Sequence, residues 1–164
     1  MPITKQTIAI IGSSSIVVTS IAKALSRHNY RLLLFDENGE EASILADEIT
    51  STDREADVEF LECTHDACWE ADVIFILSNE KNFKDIAEKI EDVTIQKIVV
   101  TLLNDETVKV PRQAETFFPN SKVVGLYPLK SNSNDIYLFS RHPKALNTLK
   151  SIALSAGFHL VQRY

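Results

Sequence analysis

Apolar residues along this chain fall into two patterns: short unbroken runs, and longer stretches in which they recur three and four positions apart. The first run, Thr7-Ile8-Ala9-Ile10-Ile11, stops at Gly12. A β-branched run that ends at a glycine predicts a strand covered on both faces. Ser13, Ser14 and Ser15 suit a turn and a helix start. Ile16, Ile21, Ala24 and Leu25 then give the next segment an apolar stripe at roughly helical spacing. Tyr30 to Phe35 predicts a second strand, ending at Asp36-Glu37, with a turn at Asn38-Gly39. Glu40 to Ile49 predicts an amphipathic helix with Ala42, Leu45, Ala46 and Ile49 inward. Ser51 to Asp57 reads as a polar loop and Val58 to Leu61 as a short third strand.

Thr64-His65-Asp66-Ala67 looks like the start of a brief helix, with Thr64 as N-cap and an end near Ala71-Asp72. Trp69 on that helix is expected to pack inward. Val73 to Leu77 is a fully apolar fourth strand, followed by a helix over Asn82 to Glu91 with Phe83, Ile86, Ala87 and Ile90 on one face. Lys97 to Leu102 is a fifth strand. Asn104 to Pro119 is less regular, and Pro111 is expected to limit any helix there. Lys122 to Leu126 and Ile136 to Phe139 are the sixth and seventh strands, separated by a polar loop at Lys130 to Asn134. Pro143 sits at a natural first helical position for a helix reaching about Ala156, with Leu146, Leu149, Ile152 and Ala153 inward and Gly157 as its cap. Phe158 to Val161 is a last strand.

Strands that alternate with helices predict an α/β fold: a doubly wound, mainly parallel sheet of about eight strands, in one domain over residues 1–164. At least six parallel strands are expected, the first of them central, with Gly12 at its C-terminal end.

The bulk numbers narrow the function. A length of 164 residues suits one domain with a good core. A formal net charge of −6 and a pI of about 5.2 argue against a general binder of nucleic acid or anionic membrane. No apolar run reaches the roughly 20 residues of a spanning helix, and the polar start of the chain is unlike a signal peptide, so a cytoplasmic location is expected. Cys63 and Cys68 form no metal-binding pattern and read as buried or half-buried free thiols. His28, His65, His142 and His159 are scattered, so no metal ligand is expected and catalytic residues stay unassigned.

The candidate chemistry lies where strands end. A strand, a small-residue turn and a helix open a dinucleotide-binding fold, in which a phosphate sits on the helix N-terminus. The glycine fingerprint is altered: glycines are needed at 12, 14 and 17, and the chain has Gly12, Ser14 and Val17. Backbone N–H groups from Gly12 through Ser13, Ser14 and Ser15 to Ile16, with three serine hydroxyls, could still hold a phosphate; the plainer reading is a serine turn and cap. Val17 is expected either to hold the helix away from the sheet or to fill a pocket among small neighbours such as Ala22 and Ala71. Asp36 ends the second strand 24 positions after Gly12, near the spacing of the acid that holds an adenosine ribose. With Glu37 beside it, a 2′-phosphate is opposed, so NAD is favoured over NADP; the alternative is a solvated acidic loop. Ser78, Asn79 and Asn104 follow the fourth and fifth strands and would line the nicotinamide end of the cleft. Tyr127 and Lys130, after the sixth, are weaker candidates.

Several stretches together resemble the NAD(P)-binding domain of the coenzyme F420-dependent NADP oxidoreductase family, within the wider 6-phosphogluconate-dehydrogenase-like Rossmann group. They are Ile8 to Gly12 with its helix, Ala71-Asp72-Val73-Ile74-Phe75-Ile76-Leu77, Lys97 to Thr101 through Asn104, Lys122-Val123-Val124, and the terminal unit from Ile136 to Val161. The resemblance implies a small oxidoreductase that binds NAD or NADP and passes a hydride to a flavin-like or other small acceptor. The departures fall at the binding edge: Ser14 and Val17 for glycines, Ser78-Asn79-Glu80 for a proline-containing turn, Thr101 where relatives often have aspartate, and Pro128 about where they have asparagine. A second reading therefore stands beside the first: a non-catalytic, degenerate Rossmann module that senses a nucleotide or serves as an interaction domain. A homodimer is compatible with either.

Overall fold

The apolar runs become strands because a segment covered on both faces needs no polar alternation. The computed structural model describes residues 5–12, 16–37, 39–78, 80–103, 111–129 and 134–161, with the side chains at 16 and 80–82 excepted. Among these residues eight strands are formed: β1 (Gln6–Ile11), β2 (Tyr30–Phe35), β3 (Asp57–Phe60), β4 (Val73–Ile76), β5 (Ile98–Leu102), β6 (Lys122–Pro128), β7 (Asp135–Ser140) and β8 (His159–Leu160). They make one sheet in the order β3-β2-β1-β4-β5-β6-β7-β8. The six strands from β3 to β6 pair in parallel, and β1 lies between β2 and β4 with Ile8 to Ile11 opposite Val73 to Ile76. The order 3-2-1-4-5-6 is that of dinucleotide-binding sheets.

The last third departs from this pattern. β7 runs antiparallel to β6, Tyr127 opposite Tyr137, and β8 runs parallel to β7. A parallel return would require a crossover of a dozen or more residues. The segment between β6 and β7 is too short for one, so the chain turns back as a hairpin, closed by Leu129 N–H donating to the Asp135 carbonyl at 3.0 Å.

Helices cover both faces. Helices α1 (Ile16–Ser26), α2 (Glu40–Thr52) and α6 (Pro143–Ser155) bury Val18, Ile21, Leu25, Leu45, Ile49 and Leu149 against Ile8, Ile10, Leu32, Leu34, Val73 and Phe75. Helices α3 (Thr64–Glu70), α4 (Glu80–Ile90) and α5 (Arg112–Phe117) bury Ala67, Cys68, Phe83, Ile86 and Ala114 against Ala9, Ile11, Leu33, Ile74, Ile76 and Val99. Alternate residues of one strand thus enter opposite cores.

Several expectations need correction. The polar stretch after Ile49 stays helical through Thr52, because Thr50, Ser51 and Thr52 hydroxyls donate back to the carbonyls of Ala46, Asp47 and Glu48 at 2.9, 2.7 and 3.0 Å. Cys63, not Thr64, is the N-cap of α3, and Thr64 is buried at the first helical position. Pro111 bounds α5 from its N-terminal side, taking the N-cap where no N–H is needed, so the helix starts only at Arg112. Cys63 is exposed while Cys68 is buried. Trp69 is 70% exposed and does not pack inward. The cap of α6 is as expected. Gly157 has φ +87°, its N–H donates to the Leu154 carbonyl at 3.1 Å, and Phe158 N–H donates to that of Ala153 at 2.9 Å. That is the paired bonding of a glycine-terminated helix.

Candidate dinucleotide edge

From the end of β1 the chain enters α1 on one face of the sheet. From the end of β4 it enters α4 on the other. The crevice between those two strand ends is the topological switch point where open α/β sheets take ligands.

Gly12 lies at this point. Its N–H donates to the Phe35 carbonyl at 3.1 Å, and Leu77 N–H donates to the Ile11 carbonyl at 2.7 Å. A Cβ on Gly12 would stand 2.9 Å from the Leu77 carbonyl oxygen and 3.0 Å from its carbon. Both are backbone atoms, so the collision cannot be relieved by a side-chain rotation. The glycine is what lets the end of β4 close against the turn after β1. Ser13, Ser14 and Ser15 lie outside the described residues, and of Ile16 only the backbone, at the start of α1, is described. Val17 is half-buried against the core beneath α1, to which Ala22 belongs, whereas Ala71 belongs to the core on the opposite face.

Asp36 closes β2 and is 4% exposed, while Glu37 is exposed. The Asp36 carbonyl accepts the Gly39 N–H at 2.9 Å, in a turn whose glycine has φ +68°. Asp36 and Gly12 line one cavity of about 240 Å³ between α1 and α2, together with Thr19, Glu41, Ile44 and Glu48. Glu48 is held by Lys23 at 2.6 Å. Sequence spacing located Asp36. It missed Thr19, Glu41 and Glu48, although each sits on a helix face next to a predicted inward position.

Ser78 follows β4. Its Oγ is enclosed and has no hydrogen-bond partner. Ile74 and Ile76 face the α3–α5 side, and the two-residue period of a strand carries Ser78 to that same side. Asn79 and Asn104 lie outside the described residues, as does Lys130. At the end of β5, Thr101 and Leu103 are buried, and Leu103 N–H donates to the Leu126 carbonyl at 2.8 Å. One rung further on, the β6–β7 hairpin sets Tyr127 opposite Tyr137 beside this edge. Tyr137 was not identified from sequence; the signal was the shortness of the segment after β6. Among the described residues no group of three His, Cys, Asp or Glu is placed to hold a metal ion, and no helix is long and apolar enough to cross a membrane.

Comparison with known proteins agrees with this geometry. The profile of the family described as NADP oxidoreductase, coenzyme F420-dependent, matches residues 7–105, and the chain belongs to that family. A search of curated proteins found no match. Among solved structures, a protein of Arthrobacter assigned as an F420-dependent NADP-reductase shares 14% identity at a TM-score of 0.72, over 93% of this chain and 82% of that one. A pyrroline-5-carboxylate reductase from Coxiella burnetii shares 14% identity at 0.74, over 98% and 60%. An imine reductase from Myxococcus stipitatus in complex with NADP+ shares 11% identity at 0.73, over 94% and 54%; a variant of it is solved with NAD+. At these identities the likeness is one of fold.

Proposed function

We propose that this member of the F420-dependent NADP oxidoreductase family is a small NAD(P)-dependent oxidoreductase whose single unit, residues 1–164, takes its dinucleotide across the C-terminal edge of the sheet. The observation that carries the reading is Gly12: a glycine with no room for a Cβ, at the end of the central strand, at the switch point of a 3-2-1-4-5-6 sheet. The residues fit such a ligand. The Gly12 turn and the backbone opening α1 would hold the pyrophosphate, with the hydroxyls of Ser13, Ser14 and Ser15 as further donors. Asp36 would accept from the adenosine ribose. The enclosed Ser78 Oγ, at the end of β4, would face the nicotinamide, and Asn79 and Asn104 would add polar groups on that side. When bound, the dinucleotide supplies the hydride that a flavin-like or other small acceptor receives.

The chain's own contribution is position and exclusion of water. Orientation of donor and acceptor would supply most of the rate. The carboxylates of Asp36 and Glu37, at the end of β2, would oppose a 2′-phosphate there and so favour NAD(H) over NADP(H). Thermal unfolding with NAD, NADH, NADP and NADPH tests the reading: a ligand at 100 times its Kd adds roughly 2.7 kcal/mol. The expected ranking is NAD(H) first, and Asp36→Ala should remove most of that preference. Silence with all four overturns the proposal; an NADP(H)-first ranking overturns the role of Asp36.

A further inference from the structure

The opposite edge of the sheet carries a surface that dinucleotide binding leaves unused. Trp69 stands 70% exposed on α3. Tryptophan is the residue most enriched at binding hot spots, and an indole left in water keeps a large apolar area unburied. Residues three and four positions earlier share its helix face; these are Asp66, which is exposed, and His65. His65 Nε2 lies 3.1 Å from Asp92 Oδ2, so this face continues onto the short 3-10 turn at Glu91–Val93. Glu91 and Asp92 line one side of a cavity of about 340 Å³. Its other walls are Ile95, itself 52% exposed, with Phe117, Phe118 and Pro119. Nearby Lys97 is turned inward, its Nζ donating to the carbonyls of Cys68 and Trp69 at 2.5 and 2.7 Å. It secures the end of α3; Glu70 there is paired with Arg31 at 3.0 Å and Lys89 lies in the last turn of α4 before Glu91, so the acidic character of this face rests on Asp66, Glu91 and Asp92.

We propose that this face docks a basic segment of a partner protein. An arginine or lysine stacks on Trp69 beside Asp66, and an adjacent aliphatic or aromatic side chain enters the groove between Ile95 and Pro119. A cation over an indole face is attracted by the ring, and neighbouring carboxylates strengthen the contact. Charge argues against a second copy as occupant: in a two-fold contact the acidic face would meet itself, in a chain of net charge −6. The groove lies just before β5 and β6, at the edge away from Gly12, so a docked partner leaves the dinucleotide edge open. The proposal does not depend on the dinucleotide reading.

The chain has a single tryptophan, so its fluorescence reports on this surface directly. The intact protein is first screened against a positional-scanning hexapeptide library. The best peptide is then titrated while Trp69 emission is followed, and labelled peptide is used with the variants. The expected result is selection of lysine or arginine next to an aliphatic or aromatic residue, with a saturable, salt-sensitive shift in emission. Binding should weaken about tenfold in D66N/D92N and in W69A, each confirmed folded by circular dichroism. The proposal is overturned if no basic residue is selected, if binding persists in both folded variants, or if sedimentation shows Trp69 buried between two copies of the chain.

Discussion

The two ends of the same sheet use their polar groups differently. At the N-terminal edge, polar groups are committed to the fold. Thr7 N–H donates to Asp72 Oδ2 at 2.9 Å while Asp72 N–H donates to the Thr7 carbonyl at 2.8 Å. Lys97 closes the end of α3, and the Ser121 hydroxyl donates to the buried Thr94 carbonyl at 2.8 Å. At the C-terminal edge, the Ser78 hydroxyl is enclosed without a partner, and Gly12 gives up a side chain so that β4 can close on β1. A buried polar group without a partner costs stability. Ser78 bears that cost beside Gly12; the enclosed Glu115 Oε1 on α5 also has no partner, but the same carboxylate is held through Oε2 by Arg141 at 2.9 Å.

Substitutions at the two ends should therefore differ in kind. Gly12→Ala is the largest: the added methyl meets backbone that has no rotamer to change. It should cost about 2 kcal/mol, or roughly 6 °C in Tm, and dinucleotide affinity with it. Unchanged thermal unfolding would show that the end of β4 yields freely and that the glycine is not set by packing. At the other end, Lys97→Met removes two charge-assisted hydrogen bonds to the end of α3. A loss of about 1.5 kcal/mol in chemical denaturation is expected, with no change in dinucleotide affinity. A change in affinity would mean that the two ends are coupled.

Ser78→Ala sharpens the contrast because its sign is opposite. Removing an enclosed hydroxyl without a partner should leave the free protein as stable as before, or more stable by up to about 1 kcal/mol. NAD(H) binding should weaken at the same time, measured by calorimetry. Destabilisation with unchanged binding would place Ser78 with the structural residues of the opposite edge.

The same contrast explains what the sequence made legible. Unbroken apolar runs such as Val73 to Leu77 identify strands because burial on two faces leaves no freedom for polar positions. Gly12 and Asp36 were readable because the turn and the acid are fixed by spacing along one β-α-β unit. The β6–β7 hairpin was not, since direction depends on the length of a connection rather than on the strand's own residues. Trp69 was misread because a seven-residue helix gives too few positions to tell its buried face from its exposed one. Thr52 stayed helical through hydroxyl-to-carbonyl bonds that a polar composition conceals.

The smallest expected effect concerns the two thiols of α3, five positions apart and differing in burial. Cys63 is exposed at the N-cap and should react with a thiol reagent in the native protein, while Cys68 should react only after unfolding. Burial pushes the Cys68 thiol up from 9.0 to about 12, against the opposing pull of Lys97. Between those values the folded chain keeps a proton that the unfolded chain has lost. That contribution to stability is complete below the unfolded value and declines as pH rises through the window. At about pH 9.5 the loss amounts to about 1 kcal/mol or less. Denaturation midpoints of the wild type and Cys68→Ala, compared from neutral pH upward, should converge as pH rises. The wild type begins more stable, because the substitution leaves a small void at a fully buried site. Parallel pH profiles, or two reactive thiols in the native protein, would show that the core beneath α3 admits water and that this end of the sheet is less committed to the fold than its hydrogen bonds indicate.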